Sequence, residues 1–274
     1  MIKIAILLTV HNRRDKTLRC MDSVYANRLP SNVSLDVFMT DDGCTDGTAE
    51  MVLTKYPQVH VVKGDGSLFW NRGMIAAWNQ ASKMDFDYYL WVNDDTYIYE
   101  SAIEEMLNSA EETGNNAIIT GATESKNNGA CTYGLRRGAN LLKPNGTLQD
   151  GEMMNGNFVI IPRKIYNAIG MLDPYYNHSS GDNDYGLMAI KKGFQVLLTK
   201  RFVATCERHD TVAKWCNPEC NVKERLQALN SPMGQPLNEV FHFDYKHHGL
   251  FVAFFHCGTT LCRCLIPSIF RKTL

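Results

Sequence analysis

Three residues, Asn93-Asp94-Asp95, close an apolar run from Tyr88 to Val92. Side chains alternate along a strand, so adjacent carboxylates at its end face opposite ways and can do different work. One could reach a divalent cation and the other a ribose hydroxyl. Mg²⁺ and Mn²⁺ are hard ions that take one or two carboxylates together with substrate phosphates. The competing reading is a cap for the helix expected from about residue 100, because Asp and Asn side chains accept N–H groups at helix starts. The same competition holds for Gly181-Asp182-Asn183-Asp184, which opens a helical stretch. Cys206, His209, Cys216 and Cys220 form Cys-x2-His-x6-Cys-x3-Cys, an irregular relative of a closed Cys3His zinc site. Trp70 and Trp91 have faces that could stack on a sugar or base. Trp91 reads as core, whereas Trp70 lies beside the polar cluster.

These groups need elements to position them. Apolar runs over residues 3–10, 33–39, 59–62, 88–92 and 117–120 read as strands. Helical spacing marks 15–27, 45–56, 71–82 and 101–112 between them. That alternation predicts βαβ units and a mainly parallel sheet. Ligands of such sheets bind beyond the carboxyl ends of the strands. Polar residues gather at those ends, in Thr9-Val10-His11-Asn12, Asp41-Asp42-Gly43, Gly64-Asp65-Gly66 and Asn93-Asp94-Asp95. Beyond residue 121 the pattern is mixed. Short strands are expected at 131–137, 139–142, 158–161, 195–199 and 202–206, with a helix at 184–192.

The 274 residues are 45% hydrophobic and carry a net charge of -1. That suffices for one large α/β domain with an appendage. No basic excess points to nucleic acid and no acidic run to disorder. The first ten residues lack a small-residue cleavage site and read as a buried strand, not a signal peptide. Nine scattered cysteines fit reduced thiols in a cytoplasmic protein.

The order Thr9-Val10-His11-Asn12, Asp41-Asp42-Gly43-Cys44-Thr45-Asp46 and Asn93-Asp94-Asp95 resembles the inverting GT-A glycosyltransferases of family 2. Many of these carry serine where this chain has Cys44, and their short acidic motif here begins with Asn93. The likeness extends through Met154-Asn155-Gly156-Asn157 and Gly181-Asp182-Asn183-Asp184 and covers about residues 1–210. Residues 66–73 are similar to the rhamnosyl- and galactofuranosyl-transferase branch. The resemblance implies a GT-A, Rossmann-like fold: a mixed, mainly parallel central sheet flanked by helices. A helical C-terminal tail is expected beyond it. It implies that Thr9, His11 and Asp41 or Asp42 hold a nucleobase, and that Asn71 and Gly73 lie near the diphosphate or the adjacent helix start. Asp94 would contact ribose or base. Asp95 and His209 would bind Mg²⁺ or Mn²⁺. Asp182 would be the base that accepts the acceptor's proton, with Asp184 in reserve. Gly181 replaces the usual glutamate beside that base.

The expected organisation is a nucleotide-sugar-binding half over 1–122, an acceptor-side half over 123–215 and a helical extension over 216–274. The expected reaction moves a sugar from a UDP- or dTDP-linked donor to a glycan or lipid-linked acceptor in cell-surface polysaccharide synthesis. A nucleotidyltransferase is the competing enzyme, but the loop after the first strand, His11-Asn12-Arg13-Arg14, has no glycine. A dinucleotide-binding dehydrogenase would need the third glycine that Gly64-x-Gly66 lacks. A carbohydrate-binding or scaffold protein would not need carboxylates at several strand ends. The apolar stretch from Gly249 to Phe270 is interrupted by His256, Arg263 and Pro267. With Arg271 and Lys272 it suits an interfacial helix on a membrane surface, or packing on the domain or on a second subunit.

Overall fold

The computed structural model describes residues 1–208 and 211–270. Its strands are β1 (Ile2–Val10), β2 (Val33–Asp41), β3 (His60–Lys63), β4 (Tyr88–Val92), β5 (Tyr97–Ile98), β6 (Ala117–Glu124), β7 (Cys131–Tyr133), β8 (Leu135–Arg137), β9 (Asn140–Leu141), β10 (Gln149–Asp150), β11 (Met153–Met154), β12 (Phe158–Pro162) and β13 (Gln195–Thr205). The helices are α1 (Arg14–Tyr25), α2 (Thr48–Lys55), α3 (Phe69–Ala81), α4 (Ala102–Glu112), α5 (Arg163–Ile169), α6 (Gly181–Lys191), α7 (Val222–Leu229), α8 (Leu237–His248) and α9 (Leu250–Leu265).

The main sheet runs β10-β13-β6-β12-β4-β1-β2-β3, with β5 on β13 and β7 on β6. β3, β2, β1 and β4 are parallel neighbours, and β13 is parallel to β6. β12 lies antiparallel between β4 and β6. It turns the chain around at mid-sheet while the strands on either side keep one direction. A small antiparallel sheet, β11-β8-β9, stands apart.

Strand alternation divides the core into two layers. Ile4, Ile6, Leu8, Leu90 and Val92 face Met21 and Val24 of α1 and Ile103 and Met106 of α4. Ala5, Leu7, Tyr89 and Trp91 face Met74 and Trp78 of α3. The βαβ rhythm read from the sequence is the fold observed, with informative local differences. The two strands expected at 195–199 and 202–206 are one, interrupted by register shifts between Leu198 and Phe202 and again before Ala204. Thr199 makes this irregularity possible: its hydroxyl accepts from Ala122 N (3.0 Å) and donates to Arg201 O (2.9 Å). α2 starts three residues later than expected because Asp46 accepts from Thr48 N at 3.1 Å. α6 starts three residues earlier, which draws Asp182 into its first turn.

The chain forms two compact units. Met1–Asp173 and Asp182–Arg208 make the first, so most of the two expected halves belong to it. Pro174–Gly181 and His209–Leu274 make the second. There, α7 opens with a capping box between Asn221 and Glu224. Buried Arg225 donates to the carbonyls of Cys264 (2.6 Å) and Leu265 (3.0 Å), satisfying the last turn of α9. Gly249, at φ 91°, lets α8 and α9 fold into a hairpin, which Asp244 and His256 tie together at 2.9 Å.

Candidate active site

The carboxyl ends of β1, β2 and β4 form one wall. After β1 the chain turns sharply at Asn12, whose φ of 49° is unusual for a residue with a side chain. Its Oδ1 accepts from Thr45 N at 2.8 Å and holds the turn. Cys44 completes it: the thiol accepts from Asn12 N (3.3 Å) and donates to Val10 O (3.6 Å). Burial first, and then neighbouring Asp41, push that thiol up to about 11, so it acts as a neutral hydrogen-bonding group. His11 Nδ1 lies 2.5 Å from Asp42 O.

The adjacent carboxylates at the end of β2 do separate jobs. Asp41 accepts from Cys44 N at 2.9 Å and pairs with the exposed Lys63 at 2.6 Å. Burial works against its charge, but these hydrogen bonds and the lysine outweigh it and hold the carboxyl below its usual value. Asp42 accepts from the backbone N–H groups of Gly66 (2.8 Å), Leu68 (3.1 Å) and Phe69 (3.0 Å). From its place directly after β2 it therefore closes the start of α3, satisfying donors that a helix start leaves open. α3 in turn lies hard on β1. A Cβ on Gly73 would fall 2.2 Å from Thr9 Oγ1, and Thr40 donates to Gly73 O at 2.7 Å. Asn71, fully buried, donates to Asp173 O at 2.9 Å.

The β4 end is organised by a residue that the sequence reading missed. Arg13 donates through Nε to Asp94 Oδ2 at 2.9 Å, through Nη2 to Asp94 Oδ1, and through Nη1 to Asp95 Oδ2 at 3.0 Å. Thr17 adds a fourth bond, to Asp94 Oδ2 at 3.3 Å. Asp94 is 2% exposed and Asp95 15%. Burial raises the Asp94 carboxyl, and Arg13 opposes that shift. The helix-cap reading does not describe this motif, because α4 begins only at Ala102. Asn93 accepts from the Trp70 indole at 2.7 Å. Trp91 is wholly core, while half-buried Trp70 meets it edge-on at 5.8 Å. The only sequence sign of Arg13 was a guanidinium in the loop directly after the first strand.

Asp182 joins this wall through the loop before β12. Asn93 N donates to Asn157 O at 2.9 Å, and Gly156 N donates to Asp182 Oδ2 at 2.8 Å. Gly156 has no room for a side chain, since a Cβ would lie 2.5 Å from the Trp70 ring. Asp182 Oδ1 accepts from Asn183 N at 2.8 Å, so the carboxylate serves the first turn of α6 as well as the loop. Partly open to solvent but densely surrounded, its carboxyl is raised by burial, and the backbone N–H groups only partly offset that rise. A raised carboxyl is a stronger proton acceptor. Asp184 is 2% exposed on the same turn.

Cys206, at the end of β13, places its thiol 3.9 Å from Asp95 Oδ1 and accepts from Asn157 Nδ2 at 3.5 Å. Burial and Asp95 push it up to about 12. Among the described residues no group of three or more His, Cys, Asp or Glu side chains could hold a metal ion. His209, expected as a metal ligand, lies outside those residues. Asp95 still offers a carboxylate at the rim, and one carboxylate completed by substrate phosphates is a set that Mg²⁺ and Mn²⁺ accept. The residues fit a cation that arrives with a phosphorylated ligand.

The central, mostly parallel sheet flanked by helices is a GT-A arrangement, and solved structures share that fold. TarS 1-349 of S. aureus in complex with UDP aligns at TM-score 0.58 and 15% identity, over 89% of this chain and 73% of that one. The complex with UDP-GlcNAc aligns at TM-score 0.59 and 14% identity, over 90% and 74%. No curated protein matches the sequence significantly. The glycosyl transferase family 2 model matches residues 5–170, more than half the chain, and the protein belongs to that family. It is accordingly a glycosyltransferase.

Proposed function

We propose that this enzyme transfers a sugar with inversion from a UDP- or dTDP-linked donor to a glycan or lipid-linked acceptor, in cell-surface polysaccharide synthesis. The observation that carries the reading is the convergence of Asp41, Asp42, Asp94 and Asp95 on one wall, with Asp182 tied to it through Gly156. That TarS, of like fold, was solved with UDP and with UDP-GlcNAc supports a uridine donor. The base lies against Thr9, His11 and Asp41. Asp41 is favoured over Asp42 because it accepts a single backbone N–H, from Cys44, and its other oxygen pairs with the exposed Lys63, whereas Asp42 is spent on three backbone N–H groups. Asn71 steadies α3 beside the diphosphate, and Asp94 fixes the wall beneath the nucleoside. Asp95, with His209 following β13, would hold Mg²⁺ or Mn²⁺, which when bound neutralises charge on the departing nucleoside diphosphate. Asp182 accepts the proton of the attacking hydroxyl on the face opposite the leaving group, and Asp184 is the reserve.

The experiment is a panel of UDP- and dTDP-sugars tested by thermal shift and by nucleotide release, with Mn²⁺ and with EDTA. A donor that raises Tm through mass action and releases nucleoside diphosphate is expected. Release of pyrophosphate from a sugar phosphate and nucleotide would favour the nucleotidyltransferase instead. Stabilisation without any turnover across acceptors would favour a carbohydrate-binding role.

The second unit suggests a peripheral place on the cytoplasmic membrane face. No helix among the described residues is long and apolar enough to cross a membrane. The α8–α9 hairpin nevertheless leaves Phe251 90% exposed, with Phe254, Phe255 and Tyr245 also exposed. Aromatic side chains on a helix face suit the headgroup boundary. A homodimer through the same face is the competing arrangement.

A further inference from the structure

We infer that Arg13 occupies the cation position at Asp95 in the unloaded enzyme and passes to the donor's diphosphate when the cation arrives; the inference rests on the glycosyltransferase reading above. Three observations converge. The guanidinium spans two carboxylates of unequal kind: its grip on Asp94 is bidentate and reinforced by Thr17, while it reaches Asp95, which also accepts from the Cys206 thiol, through Nη1 alone. Asp94 is sealed from solvent, whereas the Arg13 side chain is 37% exposed and Asp95 reaches the rim. The arginine also precedes α1 directly and lines a groove of about 360 Å³ with Asn12, Arg14, Asp15, Lys16 and Asp46, so its side chain borders open space on the side of α1.

The consequence is a competition. Two positive charges cannot share Asp95 without repulsion, which at a few ångströms in a partly solvated site amounts to a large fraction of a weak cation's affinity. Arg13 therefore lowers the affinity of the empty enzyme for a divalent ion. The donor reverses this by supplying phosphate oxygens, to which a guanidinium binds in a planar, two-point fashion. Cation and donor then bind with positive coupling, each raising the affinity for the other.

Mn²⁺ binding to the full-length enzyme, followed by electron paramagnetic resonance with and without UDP, tests this. In the wild type, UDP should tighten Mn²⁺ at least tenfold. Arg13→Gln should bind Mn²⁺ alone about tenfold more tightly than wild type and lose most of the UDP effect, while its KM for the donor rises. Because Arg13→Gln leaves Asp94 buried without its partner, the double variant Arg13→Gln/Asp94→Asn removes both charges and keeps the test open should the single variant unfold. Arg13→Lys should fall between. Mn²⁺ affinity unchanged or weaker in a folded variant would overturn the inference, as would Mn²⁺ that binds no form of the enzyme. Neither result touches the assignment of sugar transfer, which nucleotide release from the wild type decides separately.

Discussion

Asp182 sits at a raised carboxyl value because burial disfavours its charge. A carboxyl raised on folding stabilises the protein only below its unfolded value, and that contribution is lost as pH rises through the folded one. Once ionised, the base is therefore a burden on the fold. Asp182→Asn should lower kcat by about 10²- to 10⁴-fold, as expected for a lost general base, while donor binding survives and Tm at pH 7 holds or rises. Any gain should shrink as pH drops through the raised value, and wild-type turnover should fall over the same range. Full turnover by the variant would sink the role. Cys44→Ser should be nearly silent in donor KM, because the thiol accepts from Asn12 N and donates to Val10 O, as a hydroxyl can. At this scale Asp41, Asp42, Asp94 and Asp95 were legible because each pair closes an apolar run, whereas Asp182 follows a polar run and was marked by the family resemblance. Arg13 was not, because its partners lie 81 and 82 residues away and nothing local announces them.

Among the elements, α3 shows how tightly the nucleotide wall is built. Its glycine rests on Thr9 with no space for one more carbon. Gly73→Ala should cost about 1–3 kcal/mol by overpacking, seen as a lower urea midpoint. It should also raise donor KM, since the helix that Asp42 caps must shift. An unchanged midpoint would show that β1 and α3 yield more easily than their spacing implies. The βαβ alternation was readable from periodicity because both strand and helix periods are local. The start of α3 and the continuity of β13 were not. The first depends on an aspartate directly after β2, and the second on a threonine that bridges an irregularity by bonding to β6.

For the whole molecule, the exposed aromatics of the second unit make a separable prediction. Replacing Phe251, Phe254 and Phe255 with serine should leave Tm and nucleotide release unchanged but abolish sedimentation with vesicles containing anionic lipid. Retained sedimentation would remove the membrane role, and a dimer that dissociates in the variant would put a second copy there instead. The reversal at β12 bears on how the chain is made. Every donor motif has been synthesised by residue 95, yet β4 has no neighbour on its far side until residues 158–162 emerge. Tyr88–Val92, buried throughout in the finished protein, is an open apolar edge until then. A nascent chain or a proteolytic fragment ending near residue 122 would carry all the residues for gripping a nucleotide and still be a sticky, half-sheeted species. Competence arrives late, after β12 has closed that edge and α6 has brought Asp182 to Gly156.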